Sequence, residues 1–266
     1  MKKSLLVLTN VRKKQLQKSI ENKKKILTLW TEKIEMLRVD LELIEHEYNV
    51  RIGYLLLKDN QLDLEIIQLK NLKRLMDEGM TYDEAVRYEE DKFYNEILRM
   101  QVEQKKLDEE KELFEATNSL PDAMKEEIKK LWKKLIRKFH PDLVQDKEEK
   151  QNREEIMKQI NEAYNSGNLD ALQHLSLRNT LVSMKELTIE DLEKELVEIE
   201  NTLVIAQGEW EMLKVSEWFG WKKKIEKAKK TGEDVFAPLE KSLLDDIAKK
   251  ITTAQRLRVE IHPKDL

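Results

Sequence analysis

The chain has 266 residues, of which 38% are charged and 40% hydrophobic, and it contains only six glycines and four prolines. A compact all-β or doubly wound α/β domain of this length needs many turn residues and runs of β-branched residues, so both classes are excluded. Forty-nine basic and 53 acidic residues give a net charge of −4, so an electrostatic partner must recognise a local cluster. The composition predicts an all-α protein.

Cysteine is absent from the chain. Its absence excludes disulfide bonds, thiolate nucleophiles and cysteine-ligated metal sites, and it favours a reducing, cytoplasmic compartment. No stretch of the sequence approaches the roughly 20 apolar residues that a membrane span needs. The histidines show no metal-ligand spacing, and the carboxylates do not converge as a catalytic pair. We therefore expect no enzymatic activity, no metal and no cofactor.

A long N-terminal helix is predicted because apolar residues recur in alternating steps of three and four, as in the seam of a coiled coil. The seam residues are Leu27, Trp30, Ile34, Leu37, Leu41, Ile44 and Tyr48. The pattern falters at Arg51 and Gly53, resumes at Leu62 and stops before Gly79, which gives a rod of roughly 100 Å. Residues 11–40 must bury their seam against C-terminal helices or a second chain.

A capping box at Thr81-Tyr82-Asp83-Glu84 begins a second helix that can fold back antiparallel on the first. Thr188 caps a later helix and Pro238 opens the last one, so a second hairpin is predicted near the C-terminus. We predict three domains: a coiled-coil hairpin over 1–117, a small helical domain over 118–178 and a helical hairpin over 179–266. Because coiled-coil seams pair within and between chains, a homodimer stays open.

The small helical domain carries the residues that point to a function. One face of its first helix is apolar, with Ile128, Leu131, Trp132, Leu135 and Phe139. Between Met124 and Lys138, seven basic residues oppose two glutamates. Pro141 ends the helix and restricts His140 to an extended conformation. His140 and Asp142 are therefore presented on a loop at the end of a basic helix.

This segment resembles the J domain of the DnaJ co-chaperone family. The resemblance rests on the His140-Pro141-Asp142 triplet after a basic helix and on the Asn161-Glu162-Ala163-Tyr164 element about twenty residues later. It covers about residues 119–177. The usual first helix of the family is missing, and the end of the coiled coil, with Leu113 and Phe114, is expected to take its place. Leu143 stands where the family often has a basic residue.

The resemblance implies a divergent co-chaperone of all-α fold, in which long antiparallel coiled-coil helices flank a small J domain. Such a protein docks on an ATP-bound DnaK-type heat-shock chaperone and promotes its ATP hydrolysis, while the coiled coils bind a client or serve as a scaffold. Asp142 would make the trigger contact and His140 would position the loop. The chaperone-binding residues implied are His140, Pro141, Asp142, Lys129, Lys130, Lys133, Lys134, Arg137 and Lys138. Ile160, Ala163 and Tyr164 would complete the small core.

Two other functions are weighed against this one. The chain is alternatively a structural coiled-coil protein whose J module is a degenerate spacer. A nucleic-acid or membrane-surface scaffold would instead use an N-terminal basic arm, although lysines are common on coiled-coil flanks and ordinary surface charge is favoured. The arm comprises Lys2, Lys3, Arg12, Lys13, Lys14, Lys18, Lys23, Lys24 and Lys25. The aromatic cluster of Trp210, Trp218, Phe219 and Trp221 is expected to fill a junction of the coils rather than to anchor a partner.

Overall fold

A computed structural model describes residues 2–177 and 188–261, with side chains from residue 10 onwards. Within these ranges the chain contains helices and no strand, which confirms the all-α class. The helices are α1 (Lys2–Tyr48), α2 (Tyr54–Asp77), α3 (Tyr82–Asn118), α4 (Asp122–Phe139), α5 (Lys147–Asn165), α6 (Leu169–Ser176), α7 (Ile189–Lys214), α8 (Glu217–Ala228) and α9 (Ala237–Ile261). No helix in the described ranges is long and apolar enough to cross a membrane.

The N-terminal rod is continuous, since α1 leads through a π-helical turn at Asn49–Gly53 directly into α2. The interruption of the seam predicted at Arg51 and Gly53 coincides with this turn. A π-helical turn changes the number of residues per turn locally and so shifts the phase of the apolar seam. The irregular spacing of apolar residues in the sequence therefore corresponds to the π-helical turn in the structure.

The reversal between α2 and α3 forms as predicted. Gly79 has φ of +101°, a conformation that side chains disfavour and glycine adopts readily. The backbone N–H of Thr81 donates to Oε2 of Glu84 at 3.0 Å, and the N–H of Glu84 donates to Oγ1 of Thr81. The capping box is therefore present, and its hydrogen bonds lower the pKa of the Glu84 carboxyl.

The chain forms two compact units. The first comprises Met1–Glu42 and Ala116–Gly220, and the second comprises Leu43–Glu115 and Trp221–Leu266. Each unit combines N-terminal with C-terminal segments. The predicted division into 1–117, 118–178 and 179–266 stays a prediction.

In the first unit, α7 runs parallel to α1. Ion pairs of Arg12 with Glu193 and of Arg38 with Glu209 fix this direction, because both partners advance along the chain together. The buried residues of this pair are Leu16, Ile20, Leu27, Ile34, Leu192, Ile199 and Ala206. Of the two covers predicted for the seam of residues 11–40, C-terminal helices or a second chain, the structure shows a C-terminal helix, α7.

In the second unit, α2 pairs antiparallel with α3 and parallel with α9. Asn71 donates a hydrogen bond to Glu89 near the reversal, and Asn49 donates one to Glu110 at the far end, which gives the antiparallel direction. Ile66 packs with Ala254 and Leu257 of α9. The structure thus contains the expected antiparallel α2–α3 hairpin together with two parallel helix pairs that the sequence analysis did not anticipate.

The C-terminal hairpin is predicted to pair the helices that begin near Thr188 and Pro238. In the structure, α7 packs on α1 in the first unit and α9 packs on α2 in the second. Charge pairs reinforce the second arrangement, since Lys250 forms ion pairs with Asp59 and Asp63. The seams of α7 and α9 are therefore buried by the N-terminal rod.

Two members of the aromatic cluster, Trp210 and Trp221, pack at helix junctions, as expected. In the first unit, Trp210 makes an edge contact with Trp30 at 6.2 Å between ring centroids. In the second unit, Trp221 contacts Tyr48 and Phe236 at 5.5 and 5.4 Å. Trp210 and Trp221 thus fill two separate helix junctions, although they are close in sequence.

Arg51, in the π-helical turn, binds residues at the start of α9 within the second unit. Its guanidinium donates hydrogen bonds to Glu240 and Asp234, the shortest at 2.6 Å, and lies over the ring of Phe236. These carboxylates raise the pKa of Arg51, and Arg51 in turn lowers the pKa of Asp234. The basic residue that interrupts the seam in the sequence is therefore an anchor in the fold.

Candidate functional site

The predicted small core is formed by α4, α5 and α6 within the first unit. Trp132, 1% exposed, stacks on Tyr164 with ring centroids 4.6 Å apart, and its indole N–H donates to Oδ1 of Asn161 at 3.2 Å. Asn161 and Tyr164 therefore hold the basic helix in place through one tryptophan. The predicted core residues Ile128, Leu131, Trp132, Leu135, Phe139, Ile160, Ala163 and Tyr164 all belong to this cluster or pack against it.

The end of α4 has the predicted geometry. The helix ends at Phe139, and His140 adopts φ −60° and ψ 130°, the extended conformation that a following proline favours. Pro141–Leu143 then forms one turn of 3₁₀-helix. The backbone N–H of Asp142 donates to Nδ1 of His140 at 3.2 Å. The ring proton of neutral His140 is therefore on Nε2, and the imidazole fixes the shape of its own loop.

Arg153 of α5 braces this loop and was missed by the sequence analysis. Arg153 is 8% exposed, and its guanidinium donates to the carbonyl of Lys138 at 3.2 Å and to Glu149 at 2.8 Å. A carbonyl in the last turn of α4, which lacks a helical partner, is thereby satisfied. The helix end and the loop that follows it are thus tied to α5.

The loop between α4 and α5 is shorter than predicted. A polar loop is expected over residues 143–152, whereas α5 already begins at Lys147. Asp146 is the N-cap, and its carboxylate accepts a hydrogen bond from the N–H of Glu149 at 3.0 Å. The expectation is wrong because the first turn of α5 is charged and exposed. Such a turn shows no apolar periodicity, so the N-cap aspartate alone marks the start of the helix.

The six basic residues of α4 that are predicted to bind a chaperone fall into two groups. Lys138 donates to the carbonyl of Ser176, and Arg137 makes two hydrogen bonds of 2.8 and 3.0 Å to the carboxylate of Glu32 on α1. This contact raises the pKa of Arg137. The other four have no ion pair within 4 Å among the described residues: Lys129, Lys130, Lys133 and Lys134. The positive surface of α4 is therefore only partly neutralised.

Asp142 is accessible from one side. Its carboxylate is 28% exposed and lies 3.8 Å from Nζ of Lys150 and 3.9 Å from Nδ1 of His140. A cavity of about 430 Å³ adjoins it, bounded by α1, α5, α7 and the loop itself. Asp142 thus faces a groove rather than open solvent.

Helices α1 and α7 cover the other side of the loop, which the sequence analysis did not foresee. Nε2 of His140 lies 3.8 Å from Oε1 of the buried Glu35 on α1. Leu143 packs against the apolar cluster between α1 and α7. Gln145 donates a hydrogen bond to the carbonyl of Glu195 on α7 at 3.2 Å. Val39, also on α1, is buried in the small core itself. The loop residues and the residues of α1 and α7 that they contact are far apart in the sequence, so no local pattern predicts this contact.

The connection between α3 and α4 also contributes to the site. Leu120 packs against the small core, and Oγ1 of Thr117 donates to the carbonyl of Asn165 at 3.2 Å. The expectation that Leu113 and Phe114 take the place of the family's first helix stays a prediction. The connection between α3 and α4 is therefore closed at residues 117–120.

The N-terminal basic arm is partly neutralised by α7. Arg12 pairs with Glu193, Lys23 pairs with Glu200, and Lys24 pairs with Glu195 at 2.6 Å. These contacts agree with the interpretation of the arm as the charged flank of a helix pair. The side chains of Lys2 and Lys3 lie outside the described residues.

Comparison with protein families identifies the region. The sequence model of the DnaJ domain matches residues 113–166, which span the end of α3, α4, the His140–Asp142 loop and α5 up to Ser166. Comparison with curated proteins gives no match, and neither does comparison with solved structures. The match includes both the His-Pro-Asp triplet and the Asn-Glu-Ala-Tyr element.

Proposed function

We propose that this chain, whose residues 113–166 match the DnaJ domain, acts as a divergent J-domain protein that recruits a DnaK-type chaperone and stimulates the ATP hydrolysis of that chaperone. J domains in general have chaperones of this type as partners. In this proposal the chain performs no bond chemistry itself, needs no cofactor and acts by binding. Its role is to couple the ATPase cycle of a partner to whatever the long helices hold.

The observation that carries the proposal is the position of Asp142 at the end of the basic helix. The basic helix and the carboxylate at its end together form a surface that carries both positive and negative charge. The lysines steer an acidic partner towards it, and the aspartate pairs with one basic group of that partner. The loop is held by the Asp142–His140 hydrogen bond and by Arg153 under the helix end. A rigid loop lowers the entropic cost of docking.

Lys130 and Lys134 are the strongest candidates for steering. They are one helical turn apart and exposed, so they lie on the same face of α4. Lys129 and Lys133 form a second row that is half-buried. Arg137 and Lys138 are the weakest candidates in this conformation, because both already have partners within the first unit.

The long helices would supply the second function, binding a client or scaffolding a complex. Their outward faces support this role, since α7 exposes Val204, Ile205 and Met212, each to at least 67%, opposite the face that packs on α1. An exposed apolar stripe of this kind offers a surface on which a partner could pack. The identity of the client, the cytoplasmic location and a homodimer remain predictions.

A structural scaffold with a degenerate J module is the second candidate. One observation favours it: the His140 side chain of the motif is used in contacts within the first unit. The two candidates differ in whether changes at the motif affect a chaperone without affecting the fold. Asp142→Asn removes the charge, keeps the volume and leaves the backbone N–H that bonds to His140.

Single-turnover ATP hydrolysis by a DnaK-type chaperone tests the proposal. We expect the chain to accelerate hydrolysis and Asp142→Asn and His140→Gln to abolish the acceleration, while far-UV circular dichroism stays unchanged. A matched control is Asp146→Asn, which alters another carboxylate of the same loop that serves as the cap of α5. No acceleration by the chain at any concentration, or equal acceleration by Asp142→Asn, would favour the scaffold.

A further inference from the structure

The His140–Asp142 loop is covered by other parts of the first unit. Four separate contacts cover it: Arg137 with Glu32, His140 with Glu35, Leu143 with the apolar cluster between α1 and α7, and Gln145 with the carbonyl of Glu195. These contacts combine charge, burial and hydrogen bonding. The loop is therefore held against α1 and α7 at His140, Leu143 and Gln145.

Two acidic side chains of α1 form its half of this contact. Glu32 and Glu35 lie one turn apart on α1, where Glu32 pairs with Arg137 of α4 and Glu35 lies near the histidine of the loop. The side chains of Glu32 and Glu35 are 12% and 8% exposed. They place two carboxylates where the proposed function places an acidic partner. Helix α1 is thus an internal occupant of the same surface.

We propose that the first unit is autoinhibited: α1 occupies the chaperone-docking surface, and the loop must separate from α1 and α7 before a chaperone can bind. This inference rests on the proposed function. It predicts that apparent affinity for the chaperone is reduced by the fraction of molecules in the open form. Changes that weaken the closed contact then increase stimulation, and changes that lock it abolish stimulation.

Leu143 is the residue best suited for opening the contact. Its side chain packs into the α1–α7 cluster from the loop and is not part of the small core. Leu143→Ser removes this anchor and leaves the docking residues His140 and Asp142 intact. We expect a gain of about tenfold in stimulation at chaperone concentrations below saturation. Glu32→Gln, which leaves Arg137 without its charged partner, is expected to act in the same direction.

A cross-link provides the complementary locked form. Nδ2 of Asn165 donates a hydrogen bond to Oε2 of Glu42 at 3.2 Å, which joins the end of α5 to α1. Neither residue belongs to the docking set, and the chain has no cysteine of its own. Glu42→Cys with Asn165→Cys therefore allows a short bismaleimide to hold α1 on the J domain. The same protein treated with monofunctional N-ethylmaleimide is the matched control.

The experiment measures stimulated ATP hydrolysis by both forms. Strong stimulation by the control, and its loss by about tenfold or more in the cross-linked form, is the expected result. Equal stimulation by both forms would overturn autoinhibition and leave the proposed function standing. Absence of stimulation in the control and in Leu143→Ser alike would overturn the proposed function, and autoinhibition with it. A fall in stimulation on Leu143→Ser, with unchanged circular dichroism, would also contradict the proposal.

Discussion

Nε2 of His140 lies 3.8 Å from Oε1 of Glu35, and only 11% and 8% of the two side chains are exposed. The same imidazole accepts a hydrogen bond through Nδ1 from the backbone N–H of Asp142. His140 therefore shapes the loop with one nitrogen and meets α1 with the other. A residue that the sequence marks as a contact for a partner is thus also an internal contact of the first unit.

The exposed lysines of α4 are expected to control the rate of chaperone association. Replacing Lys130 and Lys134 by alanine should slow association several-fold at low ionic strength, because both are exposed and have no ion pair among the described residues. The difference from the unaltered chain should shrink at high salt, where surface charges are screened. Stopped-flow binding at two salt concentrations measures both effects.

Lys18→Ala is the control for the steering prediction. Lys18 is exposed on α1 but lies outside the docking residues, so its removal changes net charge by one unit without touching α4. If Lys18→Ala slows association as much as removal of one lysine from α4, net charge rather than a local surface controls the rate. The predicted steering surface would then be wrong.

The hydrogen bond between Trp132 and Asn161 is expected to stabilise the J domain. Asn161→Ala should cost about 1–3 kcal/mol, because the indole N–H of the buried Trp132 would lose its partner. In a Trp132→Phe background, where no N–H remains, the same change should cost much less. Urea denaturation of the four proteins gives the coupling energy. Leu177→Ala, at a residue 77% exposed, should stay within about 0.5 kcal/mol.

Equal costs of Asn161→Ala in the two backgrounds would contradict this account. Asn161 would then stabilise the fold through contacts other than the indole hydrogen bond. Within the Asn-Glu-Ala-Tyr element, only Ala163 and Tyr164 would then stabilise the packing of α4 on α5.

Sequence reasoning succeeded where local signals suffice. Four features depend only on residues within one or two helical turns. They are the helix end before Gly79, the capping box at Thr81 and the cap at Thr188, the end of α4 before Pro141, and the apolar face around Trp132. Each of these features is confirmed. Local hydrogen bonds and backbone sterics decide them, so nearby residues contain the needed information.

The partners of the seams could not be predicted in the same way. An apolar seam on α7 or α9 indicates that one face of the helix must be buried. It does not indicate which helix covers that face or whether the two helices run parallel or antiparallel. The parallel pairs α1–α7 and α2–α9 are stabilised by apolar packing and by charge pairs between residues far apart in the chain, such as Arg12 with Glu193, 181 positions apart, and Arg51 with Glu240, 189 positions apart. The cover of α1 over His140 was missed for the same reason.

Tyr164 is expected to make stability depend on pH in the alkaline range. Burial, together with the negative charges of Asp40 and Glu126, raises its pKa above the ordinary value of 10.0. The unfolded chain therefore loses this proton first as pH rises. Stability should be unaffected below about pH 10 and should fall as pH rises through the folded-state pKa. Denaturation midpoints measured across this range, compared with those of Tyr164→Phe, isolate the contribution.

Tyr164→Phe should show a weaker alkaline loss of stability than the unaltered chain, since phenylalanine has no proton to lose. An ultraviolet titration should also show one of the six tyrosines ionising later than the rest, and this late step should vanish in Tyr164→Phe. Identical alkaline profiles for the two proteins would show that Tyr164 is not held in its neutral form by the J-domain core.

Two glycines of the first unit are expected to respond oppositely to the same substitution. Gly167, between α5 and α6, has φ of +65°, and a Cβ there would collide with the side chain of Leu120, which packs against the J-domain core. Gly167→Ala should therefore cost about 1–3 kcal/mol. Gly208 lies inside α7, where a Cβ would meet nothing within 4 Å, so Gly208→Ala should add about 0.5–1 kcal/mol. Urea denaturation of both variants checks the opposite signs, and stabilisation by Gly167→Ala would mean that the turn into α6 does not hold Leu120 in place.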